Sequence, residues 1–174
     1  YVPTGHTGID DKIRGLVKGG LTFIKAMRGQ GKTELVRYFE VGLLKQNTKL
    51  ALLHMEEMKS TTYRSMATYE LGWNVRTKED AVATGYTEDE VIKAAQKMAG
   101  GENTVIFEMR SHDDPMQLLD YVRLAATVYG AEYIFIDHVQ RLAYLSSSGV
   151  DAATSTLTTL GARMAQLAKE LNIG

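Results

Sequence analysis

The sequence predicts an α/β fold, a parallel sheet with helices on both faces. Three observations predict it. Short apolar runs of strand length alternate with segments of helical period. The runs are apolar on both faces, as strands sandwiched between helix layers must be. The turn after the first run is rich in glycine and leads directly into a helix. A length of 174 residues suits one domain.

The elements follow in order. Leu21–Ala26 is the first strand candidate and ends in glycines. In Lys32–Gln46, Leu35, Phe39 and Leu43 recur every four residues and form a helix face. Leu50–Met55 is the second strand candidate, and Ser60–Gly72 reads as a helix. Thr87, followed three residues later by Glu90, is a capping box, and its helix stops at Gly100-Gly101. Thr104–Met109 is the third strand candidate. Asp114-Pro115 opens the next helix, with Asp as cap and Pro at the first helical position, and Gly130 closes it. Tyr133–Asp137 is the fourth strand candidate, apolar until its last residue. The final helix carries Leu157, Leu160, Met164, Leu167 and Leu171, a stripe that reads as core packing.

Composition removes several classes of function. With 20 basic and 21 acidic residues the formal net charge is -1. Phosphate binding over the whole surface is excluded, and a local basic site is not. The absence of Cys excludes disulfides, thiolate zinc sites and cysteine nucleophiles. The four His have no zinc-type spacing. No apolar run approaches the roughly 18 residues of a membrane span. Tyr1–Gly5 is no signal peptide and lacks an initiator Met, so the sequence reads as a cut through a longer chain.

The strongest chemical signal is Ala26-Met27-Arg28-Gly29-Gln30-Gly31-Lys32-Thr33, between a strand and a helix. That is the setting of a phosphate-binding P-loop. Glycines let backbone N–H groups converge on phosphate oxygens, and the helix N-terminus adds its positive end. Arg28, Gly29, Gln30, Gly31, Lys32, Thr33 and Glu34 are the candidate nucleotide contacts. Lys32 would reach the outer phosphates, and the Thr33 hydroxyl would hold magnesium. Such a site needs an acid for the metal at the end of a buried strand, and Asp137 fits. Hydrolysis also needs a group that activates water. Glu56 and Glu57 follow the strand after the P-loop helix, whose carboxyl end shares the rim of the sheet. Residues 141–151, including Arg141, Ser146, Ser147 and Ser148, form either a loop gripping single-stranded nucleic acid or a solvated connector.

These residues resemble the RecA-like ATPase domain of DnaB-type replicative helicases, a family that includes phage primase-helicases and mitochondrial Twinkle. Four segments carry the likeness along nearly the whole chain: Thr4–Asp10 with Gly15-Leu16 and Gly19–Leu21; Ala26–Thr33; His54–Glu57 followed by Arg64; and Ile136–Gln140. Ala at the first P-loop position is familiar in this family. The resemblance implies ATP or another NTP with Mg as cofactors, and Glu56 rather than Glu57 as the catalytic glutamate beside Lys32. It implies Thr33 and Asp137 at the metal, Arg76 against the nucleotide base, and Arg141 with Ser146–Ser148 on single-stranded DNA. It implies DNA replication as the process, a hexameric ring as the assembly, primase as a further partner, and no membrane. The setting implied is the cytoplasm of a bacterium or phage-infected host, with the mitochondrial matrix as the other choice. It also places a further core strand, sensor and arginine finger beyond Gly174 and a linker helix before Tyr1, so these residues alone are expected to turn over little ATP. A RecA/RadA-type or KaiC-like ATPase, or a nucleotide-binding loader without unwinding, remains the alternative.

Overall fold

Alternation along one strand organises the molecule. The computed structural model describes residues 1–27, 29–55, 57–108, 114–139 and 150–174. In β1 (Leu50–His54) every residue is buried. Successive side chains point to opposite faces. Leu50 and Leu52 enter a core with Val41, Leu43, Leu44, Met66 and Ile106. Leu53 packs instead with Leu118, Leu160 and Met164, and Ala51 with Ala125 and Ala131. The helices α2 (Lys32–Leu44) and α3 (Lys59–Leu71) therefore cover one face, and α6 (Gln117–Thr127) and α7 (Val150–Leu171) the other.

The sheet is parallel, in the order β2 (Thr104–Phe107), β1, β3 (Tyr133–Asp137). Leu50 is level with Thr104 and Tyr133, and His54 with Asp137. The expected helix stripe holds its place: Leu160, Met164 and Leu167 of α7 are buried. The helix α1 (Thr7–Ile13) is anchored by Asp10, which accepts from the Thr4 N–H and hydroxyl, both at 2.9 Å. Two further helices, α4 (Lys78–Ala83) and α5 (Glu88–Ala99), each start at a capping box, Thr77 with Asp80 and Thr87 with Glu90. Together with α3 they enclose a second core of Ala67, Val75, Ala81, Val91, Ala94 and Ala95.

Three sequence expectations need correction. Leu21–Ala26 forms no strand. A strand needs a hydrogen-bonding neighbour, and this run instead faces β3 across a groove of about 590 Å³. Residues 173–174 bridge the two walls at one end, where the Gly19 N–H donates to Ile173 O (2.8 Å) and the Ile134 N–H to Gly174 O (2.9 Å). The same groove leaves Ile134, Phe135 and Ile136 half-exposed, so β3 is not buried on both faces. Asp114 does accept from a backbone N–H, that of Met116 at 2.9 Å, but inside a turn, and α6 begins only at Gln117. No helix of the described residues is long and apolar enough to cross a membrane.

Candidate functional site

The site lies at the carboxyl end of the strands, where ligands bind in open α/β sheets. Gly29 and Gly31 both take φ of +79°, and a Cβ on either would meet nothing within 4 Å. Their glycine identity thus serves the left-handed backbone of the loop, not close packing. Gly31 is the N-cap of α2, and among the described residues no side chain caps that helix. The helix dipole favours an anion at that end.

Lys32 and Thr33, the first residues of α2, converge on Asp137, the last residue of β3. Lys32 Nζ pairs with Asp137 Oδ1, and the Thr33 hydroxyl donates to Asp137 Oδ2 at 2.9 Å. These partners lie 104 and 105 residues apart in sequence. The Asp137 side chain is 8% exposed. Among the described residues no three His, Asp or Glu side chains converge as a metal cage. One hydroxyl and one carboxylate suit magnesium, which keeps waters and takes its remaining oxygens from phosphate. With the uncapped helix start above them, these residues fit a nucleotide with its metal.

Beside this rim stands a buried ionic cluster. His54, on the face of β1 turned toward α2, places Nε2 2.7 Å from Glu40 Oε1. Its Nδ1 lies 3.2 Å from Arg37 Nη1, 3.0 Å from Thr62 Oγ1 and 3.1 Å from Glu57 Oε1. Arg37 donates to Glu40 at 2.8 Å and pairs with Glu57. The Thr62 hydroxyl donates to Glu57 at 2.7 Å. Burial pushes the Glu57 carboxyl up, but the His54 hydrogen bond, the Arg37 charge and the Thr62 hydroxyl overcome it and lower the pKa to about 2. Burial disfavours a charged His54, but hydrogen bonds to Glu40 and Glu57 reverse this and raise it above the ordinary imidazole value.

The remaining candidates divide. Arg76 pairs with Glu34 in the first turn of α2, so the structure brings both next to the loop. Tyr69 joins them, donating its hydroxyl to Glu34 O at 3.3 Å. Gln30 folds back within the loop, accepting from the Met27 N–H at 3.2 Å. Arg64 turns from the rim, toward Val75 O and Glu88. Arg28, Glu56, Arg141, Ser146, Ser147 and Ser148 lie outside the described residues. The cluster of Arg37, Glu40, His54 and Thr62 was not foreseen in the sequence. Its signal was there: two opposite charges three apart among Val36, Phe39 and Val41, and a His closing an apolar run.

The family model for the DnaB-like helicase C-terminal domain matches residues 1–174. No curated protein matches the chain. A solved ATPase domain aligns with a TM-score of 0.78 at 18% identity, over 99% of this chain and 61% of that one. A KaiC-like protein from the hyperthermophilic archaeon Pyrococcus horikoshii aligns with a TM-score of 0.65 at 18% identity, over 99% of this chain and 66% of that one. The chain thus spans under two thirds of the length of these solved chains. The fold is RecA-like, as the sequence predicted.

Proposed function

The chain belongs to the DnaB-like helicase C-terminal domain family, and on that premise we propose that it is the ATPase motor of a replicative helicase. Residues 1–174 act as one RecA-like ATPase domain in this reading. The motor hydrolyses ATP or another NTP between neighbours of a hexameric ring, moves along single-stranded DNA and unwinds duplex.

The convergence of Lys32 and Thr33 on Asp137 carries the reading. The loop N–H groups and Lys32 bind the phosphates. Thr33 and Asp137 hold magnesium, which would neutralise phosphate charge when bound. Arg76 and Glu34 border the nucleotide. Glu56 takes a proton from the attacking water, and an arginine from a neighbouring subunit stabilises the transition state. Glu57 is a poor rival as base, because a carboxylate with a pKa of about 2 has little affinity for a proton at neutral pH. Arg141 and Ser146–Ser148 contact single-stranded DNA.

The test separates binding from chemistry in the protein that carries this domain. Lys32→Ala should weaken nucleotide binding. Glu56→Gln should keep binding and lose DNA-stimulated turnover. Full turnover by Glu56→Gln, with loss on Glu57→Gln, would move the base by one residue.

A further inference from the structure

We propose that the buried cluster of Arg37, Glu40, His54, Glu57 and Thr62 is a positioning device for hydrolysis, in which Glu57 is a positioning residue that ties the chain beyond β1 to the P-loop helix. The proposal rests on the reading that Glu56 activates water.

Three observations carry it. The first is placement. The residues on either side of position 56 are tethered to the two halves of the nucleotide site. The Met55 N–H donates to the carbonyl of Asp137 at 2.7 Å, on the strand that brings the metal-site carboxylate. Glu57 is held by Arg37, on the helix that begins with Lys32 and Thr33. The second is closure. Arg37 and Glu40 are 2% and 0% exposed. The members bond one another, and none of them lines the groove beside β3. The cluster is therefore built to hold its own parts, not to receive a ligand. The third is energetic. A buried ion network adds little over well-packed apolar side chains of the same volume. Stability alone does not account for four ionisable groups between α2 and β1. Fixed geometry does, since an error of about 1 Å at a reacting group costs about 10²-fold in rate.

The test measures DNA-stimulated NTP turnover and nucleotide affinity in the protein that carries this domain, with thermal unfolding as the check on folding. The variants are Glu57→Gln, Thr62→Val and Thr62→Ser, with Glu56→Gln as reference. Glu57→Gln and Thr62→Val should lower kcat by about 10-fold to 100-fold and leave KM within about threefold. Thr62→Ser keeps the hydroxyl and should restore turnover. An unchanged kcat in folded Glu57→Gln and Thr62→Val overturns the proposal. So does a loss shared equally by Thr62→Val and Thr62→Ser, or a rise in KM that accounts for the whole effect. An inactive Glu56→Gln beside an unimpaired Glu57→Gln overturns the positioning role alone. Wild-type turnover by Glu56→Gln overturns the underlying reading as well.

Discussion

Leu50–His54 and Leu21–Ala26 are both short apolar runs, and both lead into the site. The first is buried at every residue and paired on both edges. The second lies along a groove, with Phe23 71% exposed. Their ends differ in the same way. Beyond His54 the chain is tied by Arg37 and Thr62 through Glu57, whereas beyond Ala26 it runs into the open glycine loop. Apolar composition nominates a strand, but hydrogen-bonding neighbours make one. The site therefore joins a rim braced from several sides to a glycine loop that opens onto the anion-favouring end of α2.

The sharpest contrast should come from the buried charges. Arg37→Met leaves Glu40 and Glu57 without their cation and should cost about 3–5 kcal/mol. Met27→Ala, at an exposed position in the loop, should stay within about 0.5 kcal/mol. Urea unfolding of the two variants checks the difference, and equal losses would erase the distinction between the two ends. Next come the runs themselves. Leu52→Ala, at a fully buried position, should cost about 2–5 kcal/mol. Phe23→Ala should again cost no more than about 0.5 kcal/mol. A large loss at Phe23 would show that the first run is anchored as firmly as β1.

The third contrast is in pH. The folded pKa of Glu57 is lowered to about 2 from an ordinary 4.5. Its contribution to stability is present above 4.5 and is lost as pH falls from there toward 2. His54 has the opposite sign. Its raised pKa contributes below 6.5, and the contribution is lost as pH rises through its folded value. Unfolding free energy measured against pH should show both limbs, and Glu57→Gln should flatten the acid one.

Much of this was legible. β1 and β3 match apolar runs, α5 matches its capping box, and α7 its stripe, because period and caps are local properties. Thr77 with Asp80 at the start of α4 was equally local, but its Asp departs from the Glu or Gln expected at that position. Glycine spacing and the acid after an apolar run named Lys32, Thr33 and Asp137. What periodicity could not supply was which runs become neighbours, and Leu21–Ala26 was misread for that reason. The cluster was missed for a related one. Arg37, Glu40, His54 and Thr62 come from three elements, and each alone resembles an ordinary polar residue.

The alanine-rich core under α3, α4 and α5 bears on how the molecule comes apart. Four of its six buried residues are alanines, and a methyl group removes little apolar area from water compared with the leucines of β1. Of the three helices, α4 contributes only Ala81 to buried packing, so its amide hydrogens should exchange through local excursions while β1 stays protected. Thr62 belongs to α3. Met66 of the same helix lies in the core with Leu50 and Leu52, so the hydroxyl that holds Glu57 stays with the sheet while α4 opens.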